Sequence, residues 1–325
     1  MSIKEQILSI LNNNVGMVIS GEELSLKLGV TRNSIWKAVN GLKIDGYDIS
    51  SYSSQGYVLN RRADIFSCEE VKKHLSFPAD IIICDEASSS NNIAKEMAEN
   101  GAPEGTVVAV KSQTNGKGRM GRSFISKSEG GLYFTLILRP KISPDKALDI
   151  TVLTAVAVCD AIKETSGKDA QIKWVNDVYI NDKKCAGILC EAQFGFETGM
   201  LDYVVVGVGL NVLTPKEGFD SEISNIATSI FENEAPCGYK SLLLGTVINN
   251  ILKLYHGIEK REYIDSYRKN SNLIGKEVDV YVGNEIIAGT VSDIDENARL
   301  VVNTKDGVRA FSSGEARVRS KGISL

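Results

Sequence analysis

The sequence predicts an α+β chain in three units. These are an N-terminal winged helix-turn-helix over residues 1–62, a central mixed α/β domain over 63–270 and a C-terminal SH3-like β-barrel over 271–325. Three observations carry this expectation. In the opening segment apolar residues recur at helical spacing and then give way to two short strand-like runs around a polar turn. From Asp80 onward strands and helices alternate, the mark of a layered α/β domain. From Asn272 onward short period-two runs follow one another at close spacing, which is how small barrels read.

In the first unit Ile3, Ile7, Leu8 and Leu11 define one helix, ended by Asn12-Asn13-Asn14. Gly21 to Leu28 forms a second, stopped at Gly29, and Thr31 caps a third that runs to about Leu42 with Ile35, Val39 and Leu42 inward. Two helices joined by Leu28-Gly29-Val30-Thr31 read as a helix-turn-helix, and Gly46–Ile49 with Tyr57–Leu59 as its wing. A third helix in this setting enters the DNA major groove. Arg32, Asn33, Ser34, Lys37 and Asn40 are the candidates for base edges and Lys43 for a phosphate. Residues 1–60 balance Lys4, Lys27, Arg32, Lys37 and Lys43 against Glu5, Glu22, Glu23, Asp45 and Asp48, with three of the five cations clustered on the third helix. Binding by a monomer is therefore expected to be weak and salt-dependent.

In the central unit Ile81–Cys84 reads as a buried strand, and Ser88-Ser89-Ser90-Asn91-Asn92 as the cap of a helix carrying Ile93, Met97 and Ala98. Thr106–Val110 is the next strand and leads into Gln113-Thr114-Asn115-Gly116-Lys117-Gly118-Arg119-Met120-Gly121-Arg122-Ser123-Phe124. Alternating glycines and cations do not sustain a helix, since Gly costs roughly 1 kcal/mol per position relative to Ala. They suit a mobile loop whose backbone approaches an anion while cationic side chains close over it. Gly131–Leu138 is a strand and Leu148–Glu164 a helix. Gln171–Ile180 pairs across Asn181–Lys184 with Cys185–Glu191, placing Lys173 on a strand near Asn176 and Asp177. Gly207 and Gly209 interrupt the strand Tyr203–Asn211, as happens where a ligand or another backbone comes close. Ser241 to about Lys269 is helical, and the runs Val278–Val282, Ile286–Ile294, Leu300–Val302, Val308–Phe311 and Ala316–Val318 complete the barrel.

Composition limits the chemistry. The chain has 325 residues, 43% hydrophobic and 24% charged, with a formal net charge of −4, so any nucleic-acid contact must come from a local patch. The longest apolar run, Ile150–Cys159, is too short for a membrane span and lies between Asp149 and Asp160. With no signal-peptide pattern at the N-terminus, the expected location is cytoplasmic. The six cysteines form no CxxC pair, and with only His74 and His256 available Ser-His-Asp, Cys-His and His-metal chemistry are nearly excluded. The chemistry must run on Lys, Arg, Asn, Asp and backbone groups.

Several of these stretches resemble, in order and spacing, the bifunctional biotin–protein ligases that also repress biotin genes. Gly116-Lys117-Gly118-Arg119-Met120-Gly121-Arg122 is similar to the family's Gly-Arg-Gly-Arg-x-Gly-Arg loop, and Lys173-Trp174-Val175-Asn176-Asp177 to its Lys-Trp-Pro-Asn-Asp. Ser89-Ser90-Asn91 resembles Ser-Thr-Asn, and Lys184-Cys185-Ala186-Gly187-Ile188-Leu189-Cys190-Glu191 resembles Lys-x-Ala-Gly-Ile-Leu-x-Glu. The resemblance spans the whole chain and implies a class II synthetase-like ligase domain that uses ATP and Mg2+ to convert biotin to biotinyl-5′-AMP. It then implies transfer of biotin to a lysine of a biotin carboxyl carrier protein domain. It also implies binding to operator DNA of biotin genes, with homodimer formation when the adenylate is bound.

By the same resemblance, Ser89, Ser90, Asn91, Gln113, Lys117, Gly118, Arg119, Lys173, Gly187, Leu189 and Gly209 would bind biotin. Lys117, Arg119, Arg122, Phe124, Asn176 and Asn211 would hold the adenylate, Lys173, Arg119 and Arg122 would be catalytic, and Asp177 would be a magnesium ligand or a carboxylate bonded to the ion's waters. Lys117 stands for Arg, Val175 for Pro, Ser90 for Thr and Phe124 for Trp. Each keeps the required functional group, and together they put affinity in doubt. Other readings stay open at this point: a lipoate–protein ligase, a ligand-responsive regulator without catalysis, and a ligase without repression.

Overall fold

The computed structural model describes residues 2–44, 47–53, 55–60, 66–126 and 130–319. It falls into two compact units, residues 1–66 with 236–239, and residues 67–235 with 240–325.

The first unit opens with α1, Ile3–Asn12, whose start is held by a reciprocal box: Ser2 Oγ accepts from the Glu5 N–H and Glu5 Oε2 accepts from the Ser2 N–H. α2, Gly21–Leu28, is capped by Ser20 and ends on Gly29, whose φ of 64° is the left-handed exit that glycine adopts freely. α3, Arg32–Ile44, starts where Thr31 Oγ1 accepts from the Ser34 N–H at 3.2 Å. The wing follows as an antiparallel pair, β1 (Ile49–Tyr52) and β2 (Gly56–Leu59); Gly46, expected to open it, lies outside the described residues. Ile7, Leu11, Leu24, Ile35, Val39, Leu42 and Leu59 make the core, the helical and strand periodicities meeting on one side.

The second unit contains α4 (Cys68–Lys72), β3 (Ile81–Ala87), α5 (Ser90–Glu99), β4 (Val107–Gln113), β5 (Gly131–Leu138), α6 (Ala147–Ser166), β6 (Gln171–Lys173), β7 (Asp177–Ile180), β8 (Lys183–Gly195) and β9 (Met200–Asn211). α7 (Tyr239–His256) and α8 (Tyr263–Lys269) follow. The strands form one sheet in the order β3-β4-β5-β9-β8-β7-β6, parallel only between β3 and β4. β5 is buried along its whole length, so both faces of the sheet are covered there. Ala94 and Ala98 of α5 pack on Val108, Val110, Ile137 and Val205, which pins the start of α5 over the centre of the sheet.

Three expectations change. Ile81–Ala87 is an edge strand and only partly buried, because β4 covers one side and, among the described residues, no strand the other. Residues 171–180 are two strands of a tight hairpin, not one: β6 turns back through Trp174–Asn176, with a cis Trp174–Val175 peptide, into β7. The stretch 241–269 is broken between α7 and α8, where Arg261 takes a left-handed φ of 55°.

The C-terminal strands are β10 (Glu277–Val282), β11 (Glu285–Ile294), β12 (Leu300–Thr304), β13 (Gly307–Phe311) and β14 (Glu315–Val318), antiparallel in the order β13-β12-β11-β10-β14. Val278, Val280, Val291, Ile294, Leu300, Val302 and Ala316 fill the inside. Among the described residues the outer strands β13 and β14 are not paired with each other, so the expected barrel is seen as an open sheet, the meander β10–β13 with β14 added beside β10.

Candidate active site and candidate DNA-reading helix

One cavity collects most of the residues singled out in the sequence. The start of α5 brings Ser89, Ser90 and Asn91, the end of β4 brings Gln113, and the loop after it brings Lys117, Gly118, Arg119 and Phe124. The turn between β6 and β7 brings Asn176, while β8 and β9 bring Gly187, Leu189, Gly207 and Gly209.

The serine cluster does less capping than its composition suggests. Ser89 occupies the N-cap position of α5 but its side chain makes no cap hydrogen bond. That side chain is 3% exposed, lines the cavity, and has no hydrogen-bond partner among the described residues. The neighbouring groups are locked in a buried chain. Gln113 Oε1 accepts from the Ser90 N–H at 2.8 Å, and its Nε2 donates to Ser126 Oγ at 3.0 Å. Thr135 Oγ1 lies 2.8 Å from Ser90 Oγ and donates to Asn91 Oδ1 at 2.7 Å. Asn91 Nδ2 donates to Glu191 Oε2, and Lys95 closes the chain on Glu191 Oε1. Burial would raise the Glu191 carboxyl, but bonds from Asn91 and Lys95 outweigh it and keep the group below its usual range. Such a fully partnered polar network fixes where a ligand's donors and acceptors must lie.

The glycines on β8 and β9 serve by absence. A Cβ on Gly207 would sit 2.1 Å from Asn91 Oδ1, and one on Gly209 would sit 2.6 Å from the Phe124 ring. The ring therefore lies against β9, with Tyr133 meeting it edge-on at 6.3 Å between centroids. About 50 Å3 of free space remains in the cavity, with the Phe124 ring on its wall.

The glycine-rich loop is a small hairpin here rather than an irregular coil. Gly118 N–H donates to Arg122 O at 2.7 Å and Phe124 N–H to Gly116 O at 2.8 Å, around a turn in which Met120 has φ 57°. Its cations diverge. Lys117 donates to Asn92 Oδ1 at 2.6 Å, Arg119 to Asn176 Oδ1 at 3.1 Å, and Arg122 reaches Glu315 on β14. Arg122 lines a wider depression of about 690 Å3 beside the first cavity, shared with Lys117, Arg119, Cys190 and Glu191. Its bond to Glu315, backed by a second from Arg317, holds that carboxyl down at about 2.

Lys173, Asp177 and Asn211 do not line either cavity. Lys173 Nζ lies 3.4 Å from Tyr179 Oη, and burial lowers its pKa against the pull of Asp177 and Glu315. Asn211 Nδ2 donates to Thr228 O. The Asp177 carboxylate holds Lys184 Nζ at 2.7 Å. No cluster of three or more His, Cys, Asp or Glu suited to a metal occurs among the described residues, so Asp177 alone is not a metal cage. Lys184 is the functional candidate that sequence reasoning passed over. It lines the cavity and stands 5.8 Å above the Phe124 ring, a contact between β8 and a distant loop that no local pattern announces.

On α3, Asn33 and Lys37 are exposed and Asn40 is half-buried. Arg32 is paired with Glu22, and Lys43 Nζ donates to Ser51 Oγ on the wing at 2.8 Å. The Ser34 hydroxyl is engaged with Thr31 Oγ1 at 2.9 Å. Trp36, absent from the sequence-based candidates, is 54% exposed on the same helix.

Residues 84–211 match the biotin/lipoate A/B protein ligase family, residues 4–58 an HTH domain, and residues 273–319 the biotin protein ligase C terminal domain. The bifunctional ligase/repressor BirA of Bacillus subtilis is 31% identical over 97% of this chain and 98% of its own length. That of Escherichia coli is 23% identical, with 97% of each chain covered. Among solved structures, the biotin protein ligase from Aquifex aeolicus in complex with biotin and ATP aligns over 74% of this chain and 99% of its own. It does so with a TM-score of 0.61 and 25% identity.

Proposed function

This chain belongs to the BirA family of bifunctional ligase/repressors, and from that premise we propose that it is an ATP-dependent biotin–protein ligase that also represses biotin genes. The carboxylate of biotin attacks the α-phosphorus of ATP, forming biotinyl-5′-AMP and releasing pyrophosphate. The amine of a carrier-protein lysine then attacks the acyl carbon, forming an amide and releasing AMP with the loss of one proton. The domains are proposed as 1–62 for DNA, 63–270 for ligation and 271–325 for the C-terminal module.

The observation that carries the reading is the division of one cavity into two walls. Ser89, Ser90, Asn91 and Gln113 form a buried neutral polar wall that suits a ureido head group, with the Ser89 hydroxyl kept for the ligand. Lys117, Arg119 and Lys184 form a cationic wall that suits carboxylate and phosphate. Phosphoryl transfer depends chiefly on positioning and charge neutralisation, which such a site supplies without a covalent enzyme intermediate. Lys173 neutralises the reacting carboxylate and α-phosphate once the hairpin carrying it adjusts to the ligand, and Arg122 leaves Glu315 to join the phosphates. Phe124 stacks nearer the adenine, and Asn176 and Asn211 lie toward the phosphates. A magnesium ion would neutralise charge on the triphosphate, and Asp177 would be its carboxylate ligand once released from Lys184.

Biotin-dependent exchange of pyrophosphate into ATP, followed by transfer of labelled biotin to a carrier domain, tests the reading. Exchange driven by lipoate and not biotin would instead favour a lipoate ligase, which the hydrogen-bonding wall disfavours because a dithiolane ring offers it no partners. Repression requires two copies. Ligand-ordered loops would promote a homodimer that sets two α3 helices at a palindromic spacing.

A further inference from the structure

We infer that Trp36 reads thymine methyl groups in the DNA major groove and so helps set the operator sequence; this rests on the DNA-binding reading above and deepens it. α3 buries Ile35, Ala38, Val39 and Leu42, which leaves Asn33, Trp36, Lys37 and Asn40 on the opposite arc. Helix geometry places Arg32 and Asn33 one turn before Trp36 and Asn40 one turn after it. The indole is 54% exposed and its nitrogen has no hydrogen-bond partner among the described residues.

A single exposed apolar side chain needs no special explanation. The surroundings supply one here. A protein partner seated on Trp36 would call for apolar neighbours, and its neighbours one turn away are a cation and two amides. The other large apolar residue exposed on this helix, Ile44, lies two turns further on. Cations on the arc suit phosphates, and asparagines suit the N6 and N7 edge of adenine. The C5-methyl of thymine is the apolar group that the groove of an A·T pair presents, and an indole is a large flat surface to cover it. Trp36 with Asn33 or Asn40 can thus read both bases of such a pair.

The test begins by selecting duplexes from a random-sequence pool with the full chain in the presence of biotin and ATP. Each thymine of the selected duplex is then replaced by deoxyuridine, which deletes only the methyl group. W36A is expected to bind the thymine duplex about tenfold more weakly than wild type, with an unchanged salt slope because no phosphate contact is lost. At one or more thymines the uracil exchange should weaken wild type several-fold and leave W36A unaffected, while W36F keeps most of the discrimination. Equal affinity of W36A and wild type, or losses that simply add at every thymine, would overturn the role of Trp36 while leaving DNA binding in place. If wild type selects no sequence at all, the DNA reading falls and Trp36 falls with it.

Discussion

Lys173 and Ser89 show how a residue's task depends on what surrounds it. Burial lowers the Lys173 pKa below the usual 10.5, so its charge is lost at a lower pH than for a free lysine. Adenylation is expected to fall as pH rises through that lowered value. K173A should cut pyrophosphate exchange by about 10²- to 10³-fold with the fold intact. K173R should keep a residual rate whose alkaline decline is absent; a wild-type pH profile in K173R would remove Lys173 from the chemistry. Ser89 offers a second separation. Truncating an N-cap serine that caps costs about 1 kcal/mol of stability. Because the Ser89 side chain makes no cap bond, S89A should melt like wild type yet bind biotin about tenfold more weakly, as read by calorimetry. A loss of stability without loss of affinity would return the residue to an ordinary cap.

At the level of elements, the glycine-rich hairpin is tied to β14 through Arg122 and Glu315. The Glu315 carboxyl is held at about 2 against an ordinary 4.5, so the stabilisation is fully present above 4.5 and is lost as pH falls toward 2. Arg122 is more than half exposed, which limits the pair to about 0.5–1 kcal/mol near neutrality. E315Q should show that deficit by denaturant unfolding at pH 7, and the deficit should shrink as pH drops below 4.5. A constant difference across that range would mean that the charge of Glu315 is not what matters. On β9 the packing argument is sharper. A methyl at Gly207 would lie 2.1 Å from Asn91 Oδ1, and that amide is bonded to Thr135, Leu189 and Glu191. G207A should therefore break the polar wall, weakening biotin binding and costing stability together, by about 1–3 kcal/mol in unfolding.

For the whole molecule, the proposed homodimer is the step that would link ligation to repression. Sedimentation with biotin and ATP is expected to show dimers at concentrations where the ligand-free chain is monomeric. The same association with and without ligands would sink that coupling. Much of this organisation was legible early. The helix periods of α1 and α3, the cap Thr31, and the period-two runs after Asn272 are local signals, and the structure reproduces them as elements. The hairpin inside 171–180 was not legible. Its turn, Trp174–Asn176, has Asn176 as its single turn-favouring residue and is held by distant partners, Tyr267 Oη on Val175 O and Ala298 O on the indole of Trp174. The break between α7 and α8 was equally hidden, since Arg261 is held in its left-handed turn with an ion pair to Asp149 of α6.

By itself the sequence determined the kinds of element, their order, the scarcity of histidine that leaves the chemistry to lysine, arginine and amides, and the motifs that mark the family. Those are properties of neighbours along the chain, set by periodicity, capping and composition. Only the tertiary structure decided which side chains share the cavity. It brought Thr135, Glu191 and Lys184 to Ser89–Asn91 and the glycine-rich hairpin, withdrew the Ser89 hydroxyl from capping, and turned Arg122 toward β14. Those outcomes depend on sheet register and on contacts between residues far apart in sequence, where burial and competing hydrogen-bond partners, not local preference, set the lowest free energy.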